Sequence, residues 1–331
     1  MGIRFITSVF GDRHVNMLIP LLYSIEQTNP EAAVSVYWED TGEEAKELIQ
    51  KNFPRVEFVE THFDFTQDIT KRISSKTLVW ELAAHDKRNE SGWILFMDAD
   101  MLVTQVIEPF LSDIDADMVF TYREGQFWIN SGILACRNHP ETASFFTLWR
   151  KKTQEILDDP KLFSQANDKA LHYGGADQMS LQQILGYSLE KNDYLVPMHI
   201  APLLFHGVHC EHLNETYSAP VTEKTHVIHY KGGWRDILFF GGNFTVNRPK
   251  NESWEMYILY LETFKKAVDE MNEKLHTRYT SEDFGLVIPW YLDKASFKEK
   301  AGYYRFYVVA KNIQTFFPRL KKYLSERGYF S

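Results

Sequence analysis

The chain has only two cysteines, Cys136 and Cys210, too few for a disulfide framework and not spaced as a CxxC pair. A reducing compartment is the expected setting. Positive charge is also short: Lys+Arg 36 against Asp+Glu 45 gives a formal net charge of −9. General nucleic-acid binding needs a basic face that displaces phosphate counterions, so no nucleic-acid partner is expected. No apolar run approaches the ~18 residues of a membrane-spanning helix. The longest, Trp93 to Met97 and Leu195 to Phe205, are short or interrupted by Pro197, His199 and Pro202. The first residues lack the apolar length and cleavage site of a secretory leader, and Ile6 stands where N-myristoylation requires Ser or Thr. The sequons at Asn89, Asn214, Asn243 and Asn251 therefore read as chance, unless the chain is the excised lumenal part of a longer protein, and a cytoplasmic location is expected.

What the chain does have is apolar and aromatic mass: 44% hydrophobic and 15% aromatic residues in a chain of 331, enough for one large domain or two ordinary ones. The first part alternates strand and helix signals. Ile3 to Phe10, Val34 to Trp38 and Val56 to Val59 are β-rich. Between them Val15, Leu18, Ile19, Leu22 and Ile25 recur at helical spacing up to Asn29-Pro30, and Glu43 to Gln50 reads as a short helix. A further helix is predicted over Ser74 to His85. Trp93 to Met97, bounded by Gly92 and Asp98, reads as a strand buried on both faces. Strands separated by helix-length segments predict an α/β fold, a mostly parallel central sheet flanked by helices. Later segments predict Met118 to Tyr122 and Phe127 to Ala135 as strands, with helices over Glu141 to Leu157 and Asp177 to Leu185.

The chemistry signal is Met97-Asp98-Ala99-Asp100-Met101. In extended chain, residues two apart point the same way, so Asp98 and Asp100 can hold one cation between them. The sequence carries its own control, because Asp115-Ala116-Asp117-Met118 repeats the tetrapeptide. Position separates the copies. The first follows a buried strand and so lies at the carboxyl edge, where open α/β sheets bind ligands; the second precedes a strand and is expected to cap or turn at the opposite edge. Aspartate oxygens suit Mg²⁺ or Mn²⁺, which keep open positions for phosphates. A second constellation is His226-Val227-Ile228-His229-Tyr230-Lys231-Gly232-Gly233-Trp234-Arg235. His229 would complete the ion's ligands, imidazole favouring Mn²⁺ over Mg²⁺. Lys231 and Arg235 would meet phosphate oxygens, and Gly232 and Gly233 would admit the backbone closely.

At these residues the chain resembles GT-A fold glycosyltransferases, and more narrowly the family containing glycogenin and bacterial lipopolysaccharide galactosyltransferases. Asp98-Ala99-Asp100 is similar to that family's metal motif, and Asn130-Ser131-Gly132 to the segment against its donor sugar. Gly174-Gly175-Ala176-Asp177-Gln178 is similar to its Asp-Gln segment, and His229-Tyr230-Lys231-Gly232 to its late His-x-x-Gly. The four motifs keep their order over about residues 3 to 235. Gly233-Trp234-Arg235 stands where that family usually has Lys-Pro-Trp, and Met179 where a further aspartate is common.

The resemblance implies a hexosyltransferase using a nucleotide sugar, UDP-linked, with Mn²⁺ (or Mg²⁺) held by Asp98, Asp100 and His229. Thr7, Ser8 and Phe10 would cradle the nucleotide, and Asp40 is a weaker nucleotide candidate. Lys76 would reach the diphosphate or donor sugar, unless it is simply an exposed helix lysine. Ala99, Asn130 and Ser131 would line the donor and Asp177 would bond sugar hydroxyls. Gln178 would sit near the anomeric carbon in a retaining enzyme, whereas Asp177 would be the base in an inverting one. Trp128 is either a sugar platform or a core residue. The acceptor would be a hydroxyl on a glycan, glycolipid or protein.

Two other readings stay open, a sugar nucleotidyltransferase and a non-catalytic nucleotide- or glycan-binding module. Against the first, Ser8-Val9-Phe10-Gly11-Asp12 lacks a Gly-rich basic phosphate loop. His199, His206, His209, Cys210 and His212 read as a polar loop near the acceptor cleft rather than a zinc site. The expected division is a catalytic domain over 1–250 and a mainly helical C-terminal extension over 251–331. The last stretch interleaves Arg319, Lys321, Lys322 and Arg327 with aromatics such as Tyr303, Phe306, Phe317 and Tyr329. It is either a helix packed by its aromatic side or a peripheral contact with the inner face of an anionic membrane.

Overall fold

A computed structural model of the chain describes residues 2–63, 71, 74, 76–86, 92–123, 129–168, 174–186, 203–215, 221–231, 253–286 and 317. The chain divides into two compact units, Met1–Glu215 with Glu223–His229, and Thr216–Thr222 with Tyr230–Ser331.

The first unit is built on strands β1 (Ile3–Phe10), β2 (Ala33–Glu39), β3 (Glu57–Glu60), β4 (Trp93–Asp98), β5 (Met101–Val103), β6 (Met118–Tyr122), β7 (Ile129–Arg137), β8 (Phe205–His209) and β9 (Val227–His229). Its main helices are α1 (Leu18–Thr28), α2 (Glu43–Asn52), α3 (Lys76–His85), α4 (Pro140–Asp158) and α5 (Ala176–Ile184). Seven strands form one sheet in the order β3-β2-β1-β4-β7-β6-β8, while β5 and β9 pair as a separate ribbon. Every neighbouring pair in the large sheet is parallel except those involving β7, which runs against both β4 and β6. The sheet is therefore mostly parallel and flanked by helices, as predicted.

Burial explains the elements. Trp93 to Met97 are all buried, so β4 is a central strand covered on both faces. Helix α1 buries Leu18, Ile19, Leu21, Leu22 and Ile25. It ends before Asn29, whose N–H donates to the Ile25 carbonyl and whose Oδ1 accepts from Ile107 N. The predicted run from Val15 is broken, since Asp12–Val15 forms its own short turn of helix. Helix α4 starts with Pro140 after His139, which accepts from Glu141 N. The core is aromatic: Phe96 on β4 packs 4.5 Å from Phe146 and 5.5 Å from Trp80 between ring centroids, and Trp80 lies 5.5 Å from Trp149.

The second Asp-Ala-Asp copy behaves as a turn at the opposite edge: an Asp117 carboxylate oxygen accepts from Leu204 N at 2.8 Å, just before β6. One expectation is corrected. His206 and His209 lie on β8, the edge strand paired with β6, and Cys210 and His212 on the short helix Cys210–Leu213, so this stretch is no loop. His199 lies outside the described residues.

In the second unit, helix α6 (Ser253–Leu275) carries Tyr260, which packs 4.6 Å from Tyr230. The Tyr230 hydroxyl donates to the Met256 carbonyl at 2.6 Å, and burial pushes its pKa well above the usual phenol value. No helix among the described residues is long and apolar enough to cross a membrane. The basic-aromatic C-terminal stretch, Phe317 apart, lies outside them.

Phe146 is fully buried among rings. Phe146→Ala should lower the unfolding free energy by about 3–5 kcal/mol, measured by urea denaturation; a loss below ~1 kcal/mol would contradict the packing described.

Candidate functional site

The carboxyl ends of β1, β2 and β4 share one edge of the sheet. Ser8 is the partner of Asp98 across the parallel β1–β4 pairing, and Tyr37 on β2 its partner on the other side. Because β7 is antiparallel, its beginning rather than its end reaches this edge, which places Asn130 and Ser131 there. The β6–β7 ladder shifts register here: Phe120 pairs with Leu134 but Thr121 with Asn130, so Ser131, Gly132 and Ile133 have no partner on β6. A bulge of this kind re-aims the side chains around it. The loops after β1 and β2 are knit together by Gly11 N donating to Glu39 O at 2.8 Å and Gly42 N donating to Asp12 Oδ1 at 2.6 Å.

The chain leaves β4 at Asp98 and turns into β5, where Met101 pairs antiparallel with His229 of β9. That ribbon brings the imidazole to the acids from far along the chain. His229 Nε2 lies 3.2 Å from Asp100 Oδ1 and 3.7 Å from Asp98 Oδ2. One ligand atom from each of Asp98, Asp100 and His229 falls within 4.8 Å of the others. His229 Nδ1 is 2.9 Å from Asn214 Oδ1. With an N–H on Nδ1 meeting that oxygen, Nε2 is the ring atom that faces the two carboxylates, an arrangement suited to a divalent cation. Hard oxygens with one imidazole suit Mn²⁺ or Mg²⁺, so the donor set fits the expected ion.

Lys76, at the start of α3, is buried rather than an exposed helix lysine. Its Nζ lies 2.9 Å from Asp98 Oδ1, 3.0 Å from the Ser131 carbonyl and 3.4 Å from Asp177 Oδ2, and 5.1 Å from the Trp80 ring centroid. Burial works against its ammonium, but the charges of Asp98 and Asp177 outweigh that and hold its pKa above the ordinary lysine value. Burial also pushes the Asp98 carboxyl above its usual range, with Lys76 and His229 pulling the other way.

Asp177 sits in the first turn of α5 behind Gly175, whose φ of 135° favours glycine. It accepts from Ser74 Oγ at 3.0 Å and Ser131 Oγ at 2.6 Å. Its own carbonyl accepts from Trp149 Nε1 at 2.9 Å, which ties this helix start to the aromatic core. Gln178 Oε1 lies 3.5 Å from Ser131 N, and Asn130 Oδ1 accepts from Gly132 N at 2.8 Å. Both are buried.

The structure thus gathers Lys76, Asp98, Asp100, Asn130, Ser131, Asp177, Gln178 and His229 at one place, with the buried Ala99 between the two acids. Ser8 stands beside Asp98; Thr7 is buried, its hydroxyl without a hydrogen-bond partner among the described residues. Phe10, the last residue of β1, is partly buried and packs against the core. Asp40 is exposed just beyond β2, with φ 52°. Lys231 belongs to the second unit. Gly232, Gly233, Trp234, Arg235 and Trp128 lie outside the described residues. Sequence reasoning missed Ser74 and Asn214; the latter, read as a chance sequon, is fully buried. It also missed why Gly132 is glycine: a Cβ there would meet His229 Cε1 at 2.5 Å and Asn130 Oδ1 at 2.8 Å.

No protein-family model matches the sequence, and no curated protein matches it. Among solved structures the chain is similar to the glycosyltransferase GlyE of Streptococcus pneumoniae TIGR4, with TM-score 0.52 and 11% identity over 89% of this chain. The match spans 66% of GlyE, just under two thirds of its length. It is also similar to the galactosyltransferase LgtC, solved with donor and acceptor sugar analogues, with TM-score 0.50, 14% identity, 82% of this chain and 99% of that one. At these identities the likeness is one of fold: the architecture is that of the GT-A glycosyltransferases, as the motifs had led us to expect.

Two substitutions test this geometry. Lys76→Met leaves the buried Asp177 and the partly buried Asp98 without their shared cation and should cost about 3–5 kcal/mol of stability in metal-free protein; a melting curve unchanged from wild type would refute the ion pair. Gly132→Ala forces the His229 ring to move, so Mn²⁺ affinity measured by calorimetry should fall about tenfold or more. Wild-type affinity in that variant would show that the ring is not held against this backbone.

Proposed function

We propose that the protein is a metal-dependent glycosyltransferase that moves a sugar from a nucleotide-sugar donor, UDP-linked, to a hydroxyl on a glycan, glycolipid or protein. The observation that carries this reading is the convergence of Asp98, Asp100 and His229 beside the buried Lys76 and Asp177, at the carboxyl edge of a GT-A sheet. The order of the four sequence motifs supports the UDP donor and Mn²⁺ as the ion.

Asp98, Asp100 and His229 would hold the divalent ion, which when bound supplies Lewis-acid stabilisation of the charge developing on a diphosphate leaving group. The chain's own residues prepare the place where that charge appears. Lys76 adds a fixed positive charge shielded from bulk water, where its attraction for anionic oxygens is stronger than at an exposed site. Its contacts with Asp98, the Ser131 carbonyl and Asp177 also hold these groups in one arrangement before substrate arrives. Asn130 has its Oδ1 committed to Gly132 and would meet sugar hydroxyls through its Nδ2–H donors.

Asp177 has both oxygens engaged, one by Ser74 and the other by Ser131 and Lys76. General-base work would require it to give up such contacts, so it enters this reading as a sugar-binding and charge-balancing group. Gln178 is then the group assigned to the side of the reacting anomeric carbon. Ser8, at the partner position to Asp98, would contact the nucleotide. The catalytic work falls to the segment over 1–250, with 251–331 as an extension.

Asp100→Asn should abolish both transfer and donor hydrolysis and remove the Mn²⁺-dependent stabilisation by UDP-sugars, with the melting temperature of the unliganded protein retained. Wild-type turnover in that variant, or in wild-type protein treated with EDTA, would sink the metal role. GDP- and CMP-sugars run in the same thermal-shift screen test the donor class.

A further inference from the structure

We infer that Asn214 is the positioning residue that fixes the proton on His229 Nδ1 and so aims Nε2 at the cation site; this rests on the metal-centre reading of Asp98, Asp100 and His229. Asn214 is 0% exposed, and its side chain is spent on two contacts. Its Oδ1 lies 2.9 Å from His229 Nδ1, and its Nδ2 donates to Thr121 Oγ1 at 2.9 Å. The amide is thereby held from both ends: Thr121 takes the NH₂ group, and the carbonyl oxygen that remains can only accept. An acceptor at Nδ1 demands an N–H there, which leaves Nε2 as the ring atom with a lone pair for a metal.

The backbone places this contact with equal care. Asn214 follows the short helix Cys210–Leu213, its N–H donating to Cys210 O at 2.8 Å. Glu215 then lies alongside β9: its N–H donates to Val227 O at 3.1 Å, and its carbonyl accepts from His229 N at 2.8 Å. The buried Glu215 side chain is anchored in turn 3.3 Å from Arg123 Nη2, immediately after β6. Thr121 lies on β6 at the register shift that frees Ser131 and Gly132 from that strand. One irregularity in the β6–β7 ladder therefore serves two purposes: it opens room for the imidazole at Gly132 and presents the hydroxyl that orients its amide partner.

The test compares wild type with Asn214→Leu, which keeps volume but no acceptor, and Asn214→Asp, which restores an acceptor. Mn²⁺ affinity is read by water-proton relaxation. The His229 Nδ1–H resonance is read by ¹⁵N NMR in metal-free and Mg²⁺-loaded protein, assigned with His229→Gln. Asn214→Leu should bind Mn²⁺ about 10- to 100-fold more weakly and lose the slowly exchanging Nδ1–H signal, while Asn214→Asp recovers both. Should Asn214→Leu fail to fold, Thr121→Val loosens the same amide from its far side and should weaken Mn²⁺ binding in the same direction. Wild-type Mn²⁺ affinity in Asn214→Leu, or a Mg²⁺-loaded wild type with its ring proton on Nε2, would overturn the proposal. If wild type binds no Mn²⁺ at all, the metal-centre reading fails and the cation part of this inference with it. The Nδ1–H signal then still reports separately on the Asn214 contact.

Discussion

The pairing of two three-residue strands, β5 and β9, is the constraint on which the site depends. The acids leave the central sheet at Asp98 and immediately enter this ribbon, so the position of His229 is set by backbone hydrogen bonds rather than by a flexible side chain reaching in. An imidazole placed in this way has the Asn214 oxygen at Nδ1 and the Asp98 and Asp100 carboxylates at Nε2, where the proposed cation would be held. Rigid placement matters because a metal centre displaced by a fraction of an ångström loses much of its affinity and all of its aim.

Charge balance is the second theme. Asp98, Asp100 and Asp177 crowd one end of the sheet, and three buried or partly buried carboxylates would repel one another without compensation. Lys76 supplies one positive charge between Asp98 and Asp177, leaving Asp100 and Asp98 Oδ2 facing His229, where the proposed divalent ion would be held. The ammonium is held in place by burial against Trp80 and by the Ser131 carbonyl, so its cost of desolvation is offset within the fold rather than by substrate. Trp149 closes the circuit, a core residue whose indole N–H fixes the start of the helix that carries Asp177.

The legible parts of the sequence were those with a strong local period or a strong local chemistry. The continuous apolar run into Asp98 marked both a central strand and its functional edge, and the two Asp-Ala-Asp copies were told apart by which end of a strand they occupy. β8 escaped notice because its histidines made a strand with mixed burial look like a polar loop. β5 is too short to show any period of its own. Asn214 and Ser74 carried no signal: one looked like a chance sequon and the other like an ordinary helix-start serine. Gly132 stood in a recognisable motif, yet its necessity comes from the His229 ring lying where a Cβ would go, a fact about tertiary contact that no local pattern encodes. The binding partners of Lys76 were hidden for the same reason, since they come from β4, β7 and α5.

The most direct test is anomalous diffraction at the manganese edge from crystals grown with Mn²⁺ and UDP. A single strong anomalous peak bridging Asp98, Asp100 and His229 Nε2 is the predicted result. A peak elsewhere, for example at Asp115 and Asp117, with none at His229, would contradict the central claim.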